Sequence, residues 1–265
     1  MKRLLVIAGS DSSGGAGIQA DLKTAQGFGV YAQTAITAVT VQNTRGVSSV
    51  NPVDPGIVSA QIAAALNDIG ADVIKIGMLG NAAIAAAVAD ALETVSLPLV
   101  LDTVLLSTSG MSLLDDVGME ILKTRLIPRA TLLTPNLPEV EALTGILPMS
   151  EHRLRNAAMV FKMLGSDAVL FKGGHAPSSD EKSGDVVRDV LWFGGDFVTF
   201  EAPRQATPHT HGTGCTLATA IACGLAQGRG LCDAVARAHV YVQAAIRTAP
   251  GLGSGHGPLG HGSLS

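Results

Sequence analysis

The chain has 265 residues, of which 47% are hydrophobic, 15% charged and 3% aromatic, with 31 glycines and 12 prolines. A chain this long and apolar buries a large core, which excludes disorder, and neither glycine period nor charge content suits a collagen or a coiled coil. Eighteen basic against 22 acidic residues leave a net charge of −4 without a long run of either sign, so the basic stripe of a nucleic-acid binder is missing and anionic ligands must be held by local devices.

Taken in chain order, short β-rich runs alternate with helical segments. Leu4–Ala8 reads as a buried strand, followed by a glycine-rich turn and a helix from about Gly17 to Gln26. Gly27 and Gly29 end that helix, and Val30–Val41 is strand-like. Pro55 to Asn67 is helical, Val73–Ile76 is a strand, and Asn81 is placed to cap an alanine-rich helix reaching about Glu93. Leu99–Leu101, Thr131–Leu133 and Val169–Phe171 are further strands. Val186–Trp192 and Phe197–Phe200 flank Gly194-Gly195, a hairpin signal. Two long helices follow, Thr213–Ala226 and Cys232–Thr248. Strand–helix alternation with continuous apolar strands predicts an α/β fold: one domain over residues 1–265, a three-layer α/β/α sandwich with a mostly parallel central sheet.

The opening, Met1 to Ala8, is basic and then apolar like a signal peptide, but its apolar run is only a strand long and meets Gly9 and Asp11 at once. Leu217 to Ala226 is too short to span a bilayer. Cys215, Cys223 and Cys232, spaced by eight and nine, suit neither a disulfide framework nor a zinc pair. A reducing cytoplasm, with neither membrane nor nucleic acid as partner, is the expectation.

Ligands of open α/β sheets sit beyond the carboxyl ends of the strands. There the chain places Gly9 to Gly17, Gln42-Asn43-Thr44, Gly77-Met78-Leu79, Asp102, Asn136 with Glu139, and Lys172-Gly173-Gly174. Six polar or glycine-rich strand ends converging on one rim predict a site. Gly15-Ala16-Gly17-Ile18-Gln19-Ala20 satisfies a dinucleotide fingerprint literally, yet the acidic residue expected about 20 positions later is missing, because no Asp or Glu lies between Asp21 and Asp54. The preferred alternative is a loop that lets a small substrate approach the backbone; a plain turn is the other. His209-Thr210-His211-Gly212-Thr213-Gly214-Cys215-Thr216 runs straight into an apolar helix. Its glycines leave N–H groups open to an anion, with the helix dipole behind them. Cys215 falls in the first helical turn, where a thiol pKa tends to drop, so it is expected to serve as a base or charged partner toward a substrate hydroxyl. His209 and His211 have no third ligand nearby and read as loop chemistry rather than as a metal pair.

Together these motifs resemble the hydroxymethylpyrimidine/phosphomethylpyrimidine kinases of thiamine biosynthesis. The resemblance rests on Ala8-Gly9-Ser10-Asp11, Ser13 to Lys23, Gln42-Asn43-Thr44, Lys75 to Leu79, Leu101 to Val104, Thr134 to Glu139, Lys172 to His175 and Thr210 to Thr216, in order from residue 4 to about 258. The last motif alone would indicate only the wider ribokinase-like superfamily. The resemblance implies a ribokinase-like fold and ATP- and magnesium-dependent phosphorylation of 4-amino-5-hydroxymethyl-2-methylpyrimidine, then of its monophosphate. It implies Gln42 as the pyrimidine reader, with Gly9, Ala16, Asp21, Met78 and Val104 lining the pocket; Met78 is equally suited to core packing. It further implies Asp102 and Glu139 around magnesium, Lys172 and Thr210 toward ATP phosphates, Gly212, Thr213 and Gly214 as the anion hole, Cys215 as the base, and a homodimer. Where the family commonly reads G-x-G-K-G-x-G-P, this chain has Ser254 in Gly251 to Pro258. A weaker second phosphorylation is then expected, unless another residue such as Lys23 compensates. Pyridoxal kinase is the nearest alternative; a nucleotide-dependent oxidoreductase and a non-catalytic pyrimidine-binding regulator are the others. Ser and Gly content suggests lid segments near 103–115 and 175–185.

Overall fold

The computed structural model describes residues 1–105, 113–173 and 186–262; the expected lid at 175–185 and residues 106–112 of the other lie outside the described residues. Nine strands form one continuous sheet: β1 (Arg3–Ser10), β2 (Tyr31–Asn43), β3 (Gly46–Pro52), β4 (Val73–Ile76), β5 (Leu99–Leu101), β6 (Leu132–Leu133), β7 (Ala168–Phe171), β8 (Val186–Phe193) and β9 (Asp196–Pro203), in the order β3-β2-β1-β4-β5-β6-β7-β8-β9. From β2 through β7 all neighbours are parallel. Antiparallel strands close both edges. The sheet is thus mostly parallel, as expected for strands without a polar face.

Strand β1 shows why the sheet is covered on both sides. Leu5 and Ile7 join one buried cluster with Val58, Ile62, Ile84, Val88 and Phe161. Leu4, Val6 and Ala8 join a second cluster with Ile18, Leu217, Ile221, Val235 and Tyr241. Successive side chains of a strand point to opposite faces, so an unbroken apolar run needs helices on each. The first face carries α2 (Pro55–Asn67), α3 (Ala82–Ala91), α4 (Asp116–Ile121), α5 (Leu137–Thr144) and α6 (Glu151–Met163); the second carries α1 (Gly17–Gly27), α7 (Thr213–Ala226) and α8 (Leu231–Arg247).

Local signals set most boundaries. Asp54 accepts from the amides of Gly56 and Ile57 with Pro55 at the first helical position, and Asn81 accepts from Ile84. Gly194 and Gly195 both have positive φ, 63° and 90°, which the tight β8–β9 turn requires. Strand β3 and helices α4–α6 have no counterpart among the elements expected by name. Gly46–Pro52 alternates little and lies largely exposed; its pairing with β2, not its own pattern, makes it a strand.

Candidate active site

The glycine loop after β1 is organised by one carboxylate. Asp11 Oδ1 accepts from the Ser13 amide and hydroxyl, both at 2.8 Å, while Oδ2 accepts from Gly15 N at 3.1 Å and Ala16 N at 2.8 Å. Oδ2 also lies 2.8 Å from His211 Nε2. Burial alone would raise the Asp11 pKa; the bonds from His211, Ser13 and Ala16 overcome it and hold it at about 2. These loop amides are spent on Asp11, so they cannot cradle a pyrophosphate. The literal dinucleotide fingerprint is a loop of another kind.

The second glycine motif meets the first backbone to backbone. Gly212 caps α7 with φ 85°, and a Cβ there would strike the carbonyl of Gly15. Only glycine permits both the left-handed conformation and that approach. Thr213 donates from Oγ1 to the Thr210 carbonyl at 2.7 Å, which shapes the turn into the helix. Thr210 itself is exposed. The missing side chain of Gly214 leaves its Cβ position 3.4 Å from Lys172 Nζ and 3.8 Å from Asp102 Oδ2. The amino end of α7, a lysine and a carboxylate therefore share one spot at the carboxyl ends of β5 and β7.

Lys172 donates to Asp102 Oδ1 at 2.8 Å and stands 3.9 Å from Glu139 Oε2. Thr134 Oγ1 donates to the same Asp102 oxygen at 2.9 Å. Burial opposes the charge on Asp102, but Lys172 foremost, with Lys75, keeps its pKa below the ordinary value. Burial likewise opposes the charge on Lys172, and Asp102 and Glu139 raise its pKa. Glu139 is shifted upward, by burial first and by the nearby Asp102. It also has a structural duty: its Oε2 accepts from Asn136 N, and Asn136 Oδ1 accepts from Glu139 N, a capping box that starts α5.

Beneath this rim lies a sealed pair. Lys75 Nζ reaches both oxygens of Asp21 at 3.0 Å, with Thr219 Oγ1 donating to Asp21 Oδ1 at 2.6 Å. Both side chains are 0% exposed. Asp21, expected to line the pyrimidine pocket, is instead enclosed as the partner of Lys75. Burial would lower the Lys75 pKa, and Asp21 raises it past the ordinary value.

Cys215 sits above this pair and overturns the expectation of a lowered thiol pKa. Burial pushes it to about 11, against the pull of Lys75 and a hydrogen bond from the Gly17 amide. The helix terminus and the lysine do act in the expected direction, but desolvation of the thiolate outweighs them. At neutral pH Cys215 is a thiol. Cys223 is pushed to about 12, by burial first, in keeping with a core residue.

At the end of β2, Gln42 joins both glycine loops. Ser12 Oγ donates to the Gln42 carbonyl at 2.7 Å and accepts from its amide N at 2.8 Å. The Gln42 side chain, through Nε2, lies 3.2 Å from His211 Nε2. Gln42, Asn43, Thr44, Arg45, His211 and His256 border a cavity of about 140 Å³. Met78 packs over Gly9, where a Cβ would collide with its Cε, the packing role considered for it. Val104 borders a smaller void of about 10 Å³ with Gly77, Leu79 and Asp102, room for a water at most. The structure thus joins Ala16 and Gln42 through Asp11 and His211, and joins Lys172, Asp102, Glu139 and Gly214, while Asp21 stays below and Thr210 outside. Lys23 is tied to the Gly14 carbonyl at 2.8 Å. The residue brought to Ser254 is Arg45, whose Nε donates to Ser254 Oγ at 2.8 Å.

Sequence reasoning passed over Lys75, Asp11, His211 and Arg45 as site residues. A lysine inside Val73-Ile74-Lys75-Ile76 was the available signal, since a charge in a doubly covered strand needs a buried partner. Comparison with known proteins completes the picture. Residues 11–260 match the phosphomethylpyrimidine kinase family. The chain belongs to that family. It is 44% identical over 267 residues to a hydroxymethylpyrimidine/phosphomethylpyrimidine kinase of Haemophilus influenzae, covering 100% of this chain and 98% of the relative. It is 48% identical to a thiamine biosynthesis bifunctional protein of Geobacter sulfurreducens over 97% of this chain, and spans 52% of that longer protein. Among solved structures, a pyridoxal kinase of Staphylococcus aureus in complex with AMP-PCP and pyridoxal superposes with a TM-score of 0.88 at 33% identity, over 99% of this chain and 94% of that one. As a member of the phosphomethylpyrimidine kinase family the chain is a kinase with a ribokinase-like fold, and the rim of β5, β7 and α7 is where its charged groups gather.

Proposed function

We propose that the chain transfers a phosphoryl group from ATP to the hydroxymethyl oxygen of 4-amino-5-hydroxymethyl-2-methylpyrimidine, and then to the resulting monophosphate. The observation that carries this is the meeting of the α7 amino end with Lys172 and Asp102 at Gly214, one glycine loop away from an amide side chain, Gln42, beside a cavity of small-molecule size. The AMP-PCP bound to the Staphylococcus aureus relative supports ATP as donor.

The chain's own groups divide the work. Amides of Gly212 to Cys215, with the helix dipole behind them, take charge developing on the transferred group. Lys172 holds phosphate oxygens, and its bond to Asp102 aims it. Asp102 and Glu139 would supply hard carboxylate oxygens to hold magnesium, and the ion would neutralise charge on the phosphates. Cys215, a neutral thiol near Lys75, has no free site for a proton and orients the substrate hydroxyl. The hydroxyl proton passes late to an oxygen of the transferred phosphoryl group, which suits a loose transition state that asks little of a base. Gln42 offers a donor and an acceptor to the aminopyrimidine edge.

A pyridoxal kinase is the second reading, favoured by the likeness to the Staphylococcus aureus enzyme. The higher identity to pyrimidine kinases favours the first. The Asp11-filled loop speaks against an oxidoreductase. One unbroken sheet supports a single domain; a cytoplasmic homodimer is the assembly the resemblance implies. Release of ADP with hydroxymethylpyrimidine, its phosphate and pyridoxal as separate acceptors tests all of this. Turnover of both pyrimidines above pyridoxal is expected, and ADP with none of the three would refute the kinase reading.

A further inference from the structure

The end of β2 and the two glycine loops share a chain of polar atoms whose direction the donors and acceptors determine. Asp11 takes hydrogen bonds on both carboxylate oxygens from Ser13, Gly15 and Ala16, so it is an acceptor throughout. A bare imidazole nitrogen 2.8 Å from that carboxylate would set lone pair against lone pair. His211 Nε2 therefore carries a hydrogen, whether the ring is neutral or charged. With Nε2 of Gln42 toward His211 at 3.2 Å and Oε1 toward Thr40 Oγ1 at 3.3 Å, N–H would face N–H. In that arrangement Gln42 Oε1 and the Ser10 carbonyl, 3.0 Å from Thr40 Oγ1, would also compete for one hydroxyl proton.

The two ends of an amide have the same shape, and their neighbours decide which is oxygen. Turned over, every group is matched. His211 Nε2–H serves Asp11 and the Gln42 oxygen, the Gln42 nitrogen donates to Thr40 Oγ1, and Thr40 donates to the Ser10 carbonyl.

We propose that His211 is a positioning residue that turns the Gln42 oxygen toward itself and so fixes the polarity with which Gln42 meets its ligand. This rests on the pyrimidine kinase reading and deepens it. One N–H and one oxygen lone pair of Gln42 remain for the ligand, acceptor on the His211 side and donor on the Thr40 side. An exocyclic amino group then pairs with the oxygen and the adjacent ring nitrogen with the N–H. A 4-oxo pyrimidine, with an oxygen and a ring N–H on that edge, carries the reverse pair and meets acceptor with acceptor and donor with donor.

The test compares kcat/KM for 5-hydroxymethyl-2-methylpyrimidine bearing a 4-amino or a 4-oxo group. Wild-type protein is expected to prefer the amino form by about 10- to 100-fold, the scale of one mismatched bidentate pair. His211→Leu should cut that ratio about tenfold or more, with the loss for the amino form carried in KM, and His211→Gln, which keeps an N–H for Asp11, should restore part of it. Thr40→Val removes the other anchor at nearly constant shape and should lower the same ratio, which keeps the proposal testable if His211→Leu does not fold. An unchanged ratio in the folded variants, with both pyrimidines losing equally, would overturn it. Calorimetric binding of the two pyrimidines to the same proteins yields the ratio without turnover. Binding of the amino form without ADP release would refute the kinase reading alone, whereas equal binding of both forms to wild type would overturn the role of His211.

Discussion

Two lysine–carboxylate pairs lie within the same end of the sheet and do different work. Lys75 and Asp21 are 0% exposed, closed in between β4, α1 and α7. Lys172 keeps 14% of its side chain exposed beside Asp102 at 1%. Both pairs have short contacts, and in both the lysine pKa is raised by its carboxylates against burial. Access separates them. A sealed pair can only hold elements together, and breaking it leaves an unmatched charge inside the protein. A pair at the rim can exchange its partner for a phosphate. Proximity in sequence to glycine motifs does not distinguish the two; position along the strand does, since Lys75 lies within β4 and Lys172 just beyond β7.

Substitutions can break this contrast, and the largest effect is expected at the sealed pair. Lys75→Met should destabilise the fold by about 3–5 kcal/mol, read from chemical denaturation, because Asp21 loses its buried counter-charge. Adding Asp21→Leu should recover much of that loss. Lys172→Met should instead lower turnover about 10²- to 10³-fold, the range for one electrostatic donor, with a smaller change in melting temperature. A larger stability loss at Lys172 than at Lys75 would overturn the contrast.

Cys215 stands between the two pairs. Cys215→Ala should reduce turnover about 10²-fold, the scale for losing the alignment of a reacting group, with little change in the KM for the pyrimidine; unchanged turnover would remove the thiol from the reaction. The Asp11–His211 pair sharpens the contrast through pH. The folded Asp11 pKa, about 2, lies below the ordinary 3.8. Its contribution is therefore present above about pH 4 and lost as pH falls toward 2. The expected loss, about 2 kcal/mol, should disappear from acid denaturation curves in Asp11→Asn. The smallest effect belongs to Arg45. Arg45→Gln should raise the KM for the monophosphate a few-fold, as for an exposed ion pair, and more than that for the alcohol. Equal effects on both would leave Ser254 without a compensating cation.

How much was legible follows from the range of each interaction. Asn81, Asp54 and Gly194-Gly195 act on neighbours within three residues, and the elements they bound are found where expected. Strand β3 was missed because a partly exposed edge strand has neither an apolar run nor a strong alternation. At the site, Lys172, Asp102 and Glu139, expected at strand ends, do meet, and Gly214 of the later helix-opening motif lies beside Lys172 and Asp102. Asp21 and Lys75 are 54 positions apart and Asp11 and His211 are 200 apart, and no local pattern announces either pair.

The sequence alone determined the layering, through apolar strands that need cover on both faces, and the place of the glycine motifs at strand ends. Motif order also identified the kinase family. Only the tertiary structure decided which charges are sealed and which are open, and that Cys215 is a thiol at about 11 rather than a poised thiolate. The physical reason is common to these cases. Periodicity and capping depend on residues a few positions apart, whereas desolvation and ion pairing depend on what the folded chain packs around a group.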